Sequence, residues 1–248
     1  MRHIQAQSGQ SLADLDIARL REEVLQHRVL VLRGFAALDS QEYIDCASGW
    51  GEILRWNFGE ILNVRVDPQA TNYLFTCGNV PHHWDGAFAA QVPFLQLFQC
   101  LESPGPGSGG ETVFCDTVRL WKQASEEQRQ RWSGVRVHYQ TDKLAHYGGS
   151  ICAPLVARHP LTGETTLRFA EPPDEETAPL NPLSLEVEGA ALPELLQELR
   201  PLLYSDDYCY NHCWQPGDYV IADNHALLHA RRPFREAASR HLQRIHIL

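Results

Sequence analysis

The chain has 248 residues and a formal net charge of −10, with 31 acidic against 21 basic side chains. That balance argues against general binding to nucleic acid or an anionic membrane, because both need net positive surface. Residues 1–16 hold no apolar run of a leader peptide, and no stretch approaches the roughly 18 apolar residues of a membrane span, so a cytoplasmic protein is expected.

In chain order, the spacing of Leu12, Leu15, Leu20 and Leu25 predicts a helix over 11–28 with Ser11 as its N-cap. Residues 29–35 (VLVLRGF) read as a buried strand ended by glycine, and 41–53 as a short helix. Strands are predicted at 61–66, 72–77, 94–102 and 111–116, with a turn at 104–110 (PGPGSGG). A helix over 117–132 leads to strands at 135–140, 153–159 and 165–169. Residues 171–183 (EPPDEETAPLNPL) are acidic and proline-rich and read as a surface loop or lid. A helix over 191–204 precedes strands at 207–214, 218–224 and 241–248. Many short strands with a few helices outside them predict a mainly β protein with flanking helices, a barrel or two-sheet jelly roll.

Four segments could carry chemistry. In PHHWDGAF (81–88), His83 and Asp85 are two apart, so on a strand they share a face and could take adjacent sites on a divalent metal. A second histidine from elsewhere would complete a facial triad; the alternative is a hydrogen-bonded pair in a loop. In QPGDYVIADNHALLHARRPF (215–234), His229 follows a buried strand. His225 and His229 would share a helix face, but Ala226 stands where a zinc protease carries its glutamate, which argues against a hydrolytic site. Arg240 and Arg244, four apart on a predicted strand, share a face suited to binding carboxylates or lie on a solvated edge. Thr112 follows a double glycine where its hydroxyl could assist an anion. The seven cysteines are scattered without a CxxC and read as free thiols; Cys209 and Cys213 flank His212 but lack further zinc ligands.

Together these segments resemble the taurine dioxygenase-like (TauD/TfdA-type) iron(II)- and 2-oxoglutarate-dependent oxygenases. The resemblance spans about residues 20–248 and rests on His83-Trp84-Asp85, GGETVF (109–114), HPLTG (159–163), GDYVIADN (217–224), His229, and Arg240 eleven residues after it. It implies a double-stranded β-helix (jelly roll, cupin-like) and one oxygenase domain over 1–248. It implies iron held by His83, Asp85 and His229, and 2-oxoglutarate bound by Arg240 with Thr112. Arg244 matches a second arginine near co-substrate and substrate, and Asn79 a position that often contacts them. Trp84 and Phe88 are expected to line the pocket or to pack. With 2-oxoglutarate and dioxygen, such a centre abstracts hydrogen from a C–H bond and leaves succinate and carbon dioxide. Asp85 argues against halogenation, because related halogenases replace this carboxylate to admit halide.

His225 stands where many relatives carry arginine. HWDGAF and PFLQLFQC (93–100) look closer to the isonitrile-forming and paerucumarin-type branch of secondary metabolism than to the taurine enzyme. The expected reaction is hydroxylation or desaturation of a small, amino-acid-derived molecule. The alternatives are a catabolic sulfonate or aryloxyalkanoate dioxygenase, or a non-catalytic organic-acid sensor on the same fold. A homo-oligomer is compatible with the sequence. Against the acidic whole, Arg231, Arg232, Arg235, Arg240 and Arg244 gather near the end with Glu236 the one acid among them, which suits a dianionic 2-oxo acid.

Overall fold

The computed structural model describes residues 1–142, 149–235 and 238–248; Glu236 lies outside them. Its centre is two facing sheets. The larger has six strands in the order Arg2–Gln5 (β1), Val29–Arg33 (β2), Tyr219–Asp223 (β13), Leu95–Glu102 (β5), His241–Ile247 (β15) and Leu62–Arg65 (β3). The smaller runs Cys209–His212 (β12), Thr112–Asp116 (β6), Leu227–Arg231 (β14) and Val80–His83 (β4). This is the double-stranded β-helix expected of the sequence.

Strand parity explains the apolar runs. In β2, Val29 and Val31 face the other sheet while Leu30 and Leu32 face outward, under Ile17–His27 (α1) and Ser40–Ser48 (α2). β13 does the same, with Val220 and Ala222 inward and Tyr219 and Ile221 outward. In β5, Phe98 and Cys100 pack inward and Leu95 and Leu97 outward, so Gln96 takes an inward position. In β15, Ile245 and Ile247 face the helices, which turns Leu242, Arg244 and His246 into the sandwich.

A third layer covers the small sheet. It contains Ser184–Glu188 (β11), Arg136–Thr141 (β7) and Gly149–Pro154 (β8) as one sheet, and Val156–Arg158 (β9) with Thr165–Leu167 (β10) as a pair. Helices Thr117–Gln123 (α3), Glu126–Ser133 (α4) and Leu192–Leu203 (α5) pack on the same cluster, around Trp132, Tyr139, Phe169 and Leu199. Among the described residues, no helix is long and apolar enough to cross a membrane.

Several elements differ from the sequence expectation, each for a local reason. The helix predicted from residue 11 begins at Ile17, because Asp16 accepts the Arg19 N–H as its N-cap; Ser11 caps only a 3-10 turn, Leu12–Asp14. The helix over 117–132 is two helices, because Ser125 forms a capping box with Gln128. The strand predicted at 72–77 is instead a 3-10 turn, Tyr73–Phe75, capped by Asn72. The buried Arg231 guanidinium there takes the carbonyls of Tyr73, Leu74 and Gly78, which a ladder would have used. Residues 225–229 are not helical: His225 lies in a turn and His229 on β14. Arg240 precedes β15 rather than standing on it, and the ladder shifts register between His241 and Leu242. β1 and β4 carry no strong apolar alternation and are not legible as strands, whereas β11 (SLEVE) alternates apolar with polar residues and is a strand that the sequence expectation omits.

Candidate metal centre

β4 and β14 are antiparallel neighbours with His83 opposite His229, and the two imidazoles lie 4.2 Å apart between ring centroids. Asp85, two residues beyond His83, turns back toward them because Asn224 brackets its backbone. Asn224 Oδ1 accepts the Asp85 N–H at 2.9 Å, and its Nδ2 donates to the carbonyls of Asp85 at 3.0 Å and Pro93 at 2.8 Å. His83 Nε2 is then 3.7 Å from Asp85 Oδ1, and His229 Nε2 3.8 Å from Oδ2. One ligand atom from each of the three lies within 4.8 Å of the others.

The protonation states suit a metal. The carbonyl of Pro81 lies 2.8 Å from His83 Nδ1 and can only accept, so the proton sits on Nδ1 and the Nε2 lone pair is free. Burial holds His83 below the usual histidine range, and burial beside His83 holds His229 well below it. Burial pushes the Asp85 pKa up, but Arg244, His246 and His229 together outweigh it and hold the carboxyl well below its ordinary value. Two neutral imidazoles and one carboxylate on one face, with room beyond them, match the donor set of a non-haem iron(II) site.

Two cavities meet at this triad. One, of about 410 Å³, is lined by Thr112, His83, His229, Arg231, Arg240 and Arg244 among others. Arg240 is buried, donates from Nε to the Gly110 carbonyl at 3.1 Å and lies over the Phe234 ring; burial and the nearby Arg231 push its pKa down to about 9. Thr112 Oγ1 accepts the Trp214 indole N–H at 2.9 Å, which leaves its own proton to donate elsewhere. Three of the five clustered arginines, Arg231, Arg240 and Arg244, are buried, while Arg232 and Arg235 are exposed. The second cavity, of about 770 Å³, is walled by Tyr73, Trp84, Phe88, Pro173 and Leu183 among others and reaches His83, Asp85 and Arg244.

Residues 171–183 form part of that second wall. Glu171 anchors one end, accepting from the His82 N–H, Arg200 Nε and the Tyr204 hydroxyl at 3.1, 3.1 and 2.8 Å. Asn79 does not line the cavity; its side chain bonds Asp174 and so ties down the same segment. Trp84 is buried edge-on to Tyr139 with Arg168 over its face, whereas Phe88 is half-buried.

The family model for the taurine catabolism dioxygenase TauD, TfdA family matches residues 2–246. The chain belongs to that family. It is 50 % identical over 240 residues to a 3-((Z)-2-isocyanoethenyl)-1H-indole synthase of Fischerella ambigua, covering 96 % of this chain and 88 % of the relative. It is 37 % identical over 244 residues to a tyrosine isonitrile desaturase of Pseudomonas aeruginosa, covering 96 % and 84 %. Among solved structures it is similar to PvcB, described as an Fe, alpha-ketoglutarate dependent oxygenase from an isonitrile synthetic pathway, with a TM-score of 0.83 and 34 % identity over 99 % of this chain and 85 % of that one.

Other motif residues act around the centre. His159 of HPLTG bonds Asp223 of the Asp-Asn pair at 2.9 Å with both side chains fully buried, and Asp223 also accepts the N–H groups of His225 and Ala226. That clamp orients the turn from which Asn224 reaches Asp85. His225 bonds Arg168 and packs on Phe94, and burial next to that cation lowers its pKa to about 4. All seven cysteines are free; Cys213 is exposed and Cys209 pairs across the ladder with Cys115, so the two do not form a zinc site.

Gln96 and His246 are the functional residues that the sequence analysis missed. They are directly opposite each other in the β5–β15 ladder, and both donate to Asp85 Oδ2, at 2.5 and 2.8 Å. For Gln96 the available signal is a polar residue on the inward face of β5, which Phe98 and Cys100 otherwise make apolar; β15 also carries Gln243 and Arg244, so His246 does not stand out.

Proposed function

We propose that residues 1–248 form one oxygenase domain that uses iron(II), 2-oxoglutarate and dioxygen to desaturate an aromatic amino-acid-derived isonitrile, forming a carbon–carbon double bond next to the isonitrile nitrogen. The observation that carries this reading is that the two cavities share Leu74, His83 and Arg244 as a common wall, so two small molecules can meet at one metal. The isonitrile substrate class is supported by the relatives at 50 % and 37 % identity.

His83, Asp85 and His229 would hold the iron. Iron bound there would let dioxygen act as the oxidant: the 2-oxo acid would end as succinate and carbon dioxide, and the two hydrogens taken from the substrate would leave with the second oxygen atom as water. Arg240 binds the distal carboxylate of 2-oxoglutarate, for which the buried guanidinium has no ion-pair partner among the described residues. Thr112 donates its hydroxyl proton to the same carboxylate. Arg244 keeps a buried Nε that bonds nothing among the described residues, available to a carboxylate of either small molecule. Tyr73, Trp84 and Phe88 receive the aromatic ring, and the prolines and leucines around them exclude water.

The test is anaerobic titration with iron(II) and 2-oxoglutarate, followed by tyrosine- and tryptophan-derived isonitriles and oxygen. A visible charge-transfer band, succinate and a product carrying a new double bond are expected. A product that gains one oxygen atom and keeps its saturation would replace desaturation with hydroxylation. Absence of the band, or its persistence in His83→Ala and Asp85→Ala, sinks the reading.

A further inference from the structure

The metal ligands account for one nitrogen of each triad histidine, yet Asp85 has a second oxygen and a buried environment of its own. That oxygen, Oδ2, receives three N–H donors: Gln96 Nε2 at 2.5 Å, Arg244 Nη1 at 2.8 Å and His246 Nε2 at 2.8 Å. None of these three donates to Oδ1, the oxygen 3.7 Å from His83 Nε2.

The proton on His246 is assigned by its other neighbour. Trp56 Nε1 lies 3.0 Å from His246 Nδ1. An indole nitrogen only donates, so Nδ1 accepts and the ring proton of the neutral imidazole sits on Nε2, aimed at Asp85. Trp56 is itself held in place. Leu54 N–H bonds the His246 carbonyl at 2.9 Å, and Trp56 and Gly59 exchange both backbone hydrogen bonds at 3.0 Å around a tight hairpin. That hairpin needs Gly59 at φ +105°, a conformation side chains resist. Phe58 stacks on Trp56, with ring planes 12° apart.

We propose that Trp56, acting through His246, is a positioning residue that makes Asp85 a one-oxygen metal ligand through Oδ1. The inference rests on the reading of Asp85 as a metal ligand. The relay occupies Oδ2 and fixes the carboxylate plane before any metal arrives, so a metal held by His83, His229 and Oδ1 alone would keep one more position for small molecules than a carboxylate binding through both oxygens would leave it. Partners of a ligand's unbound atoms of this kind are worth about 10–100-fold in metal affinity.

The experiment uses the full chain, stripped of metal, with manganese(II) alone as the probe and its free six-line electron paramagnetic resonance signal as the readout. Trp56→Phe keeps the ring and loses the N–H, His246→Leu removes the relay, and His246→Gln keeps an acceptor for Trp56 and a donor for Asp85. Trp56→Phe and His246→Leu are expected to weaken manganese binding about 10-fold or more, and His246→Gln to stay near the wild type. In the metal-free protein, nitrogen-15 resonances of His246 should report a bare Nδ1 in the wild type and a mixture of tautomers in Trp56→Phe. Unchanged affinity in Trp56→Phe, a single unchanged tautomer there, or a His246→Gln variant as weak as His246→Leu overturns the relay and leaves the metal reading standing. A wild type that takes up no manganese overturns both.

Discussion

Arg244 Nη1 lies 2.8 Å from Asp85 Oδ2, with about nine-tenths of each side chain buried. The pair comes from two sheets, Arg244 from an inward position of β15 and Asp85 from just past the end of β4. Removing the cation strands a buried carboxylate. Arg244→Met is therefore expected to destabilise the metal-free protein by about 3 kcal/mol. It also raises the Asp85 pKa, so protons compete with the metal at higher pH. Wild-type manganese binding should persist into acid where the variant has lost it, because the wild-type carboxyl titrates well below the ordinary range. Calorimetric unfolding of the metal-free proteins and binding isotherms from pH 5 to 8 check both parts, and a variant with wild-type stability removes the argument.

Arg240 predicts the opposite sign. Its guanidinium is buried beside Arg231 without an ion-paired acid among the described residues, and its pKa falls to about 9. Such a cation is a cost until an anion arrives. Arg240→Met should leave the protein free of 2-oxoglutarate as stable as the wild type, or more stable by about 1–3 kcal/mol. The same variant should lose the thermal shift that 2-oxoglutarate gives the wild type and raise its KM at least about 30-fold, the equivalent of about 2 kcal/mol. A variant that still responds to 2-oxoglutarate places the anchor elsewhere.

What could be read in the sequence divides along a physical line. His83, Asp85, His229 and Arg240 stand out because metal and anion chemistry restricts the residue types, and their order along the chain adds information. Gln96 and His246 do not, because a polar side chain within a strand carries no such meaning until the register that sets the two opposite each other is known. Sequence position groups Arg231 with the anion-binding arginines, yet three backbone carbonyls occupy its guanidinium and make it the brace of the 73–78 turn. Helix boundaries moved for a simpler reason. The apolar spacing from Leu12 runs on through Asp16, and the residues on both sides of Ser125 suit a helix, so each pair of segments reads as one helix until the caps divide it.

Away from the metal, Arg33 and Asp218 give a pH dependence with a definite sign. Nε and Nη2 of Arg33 bond the two carboxylate oxygens at 2.6 and 2.8 Å, and the Asp218 side chain is fully buried. Burial pushes the Asp218 pKa up, but Arg33, His212 and the Gln215 N–H outweigh it and hold it at about 2. The folded-state value lies below the unfolded one, so the stabilisation is complete above about pH 4 and is lost as pH falls toward 2. A depression of this size corresponds to about 2 kcal/mol. Asp218→Asn should lower stability at pH 7 and flatten the acid limb between pH 4 and 2, as followed by urea unfolding. An acid limb of unchanged slope shows that other carboxylates carry it.

Phe88 and Trp84 line the same cavity but are held differently, and their alanine variants should separate binding from folding. Trp84 is 4 % exposed and packs against Tyr139 within the cluster beneath the small sheet. Trp84→Ala is expected to cost about 3–5 kcal/mol of stability, with loss of activity following loss of fold. Phe88 is half-buried, leans on that cluster from outside and faces the cavity. Phe88→Ala should keep most of the melting temperature and raise KM for the aromatic isonitrile about 10-fold, the value of losing one well-packed ring contact of about 1.4 kcal/mol. The 2-oxoglutarate KM should not move, because Phe88 is absent from the cavity that holds Arg240. Equal effects on both KM values in Phe88→Ala would mean that the two cavities do not divide the two molecules as their linings indicate.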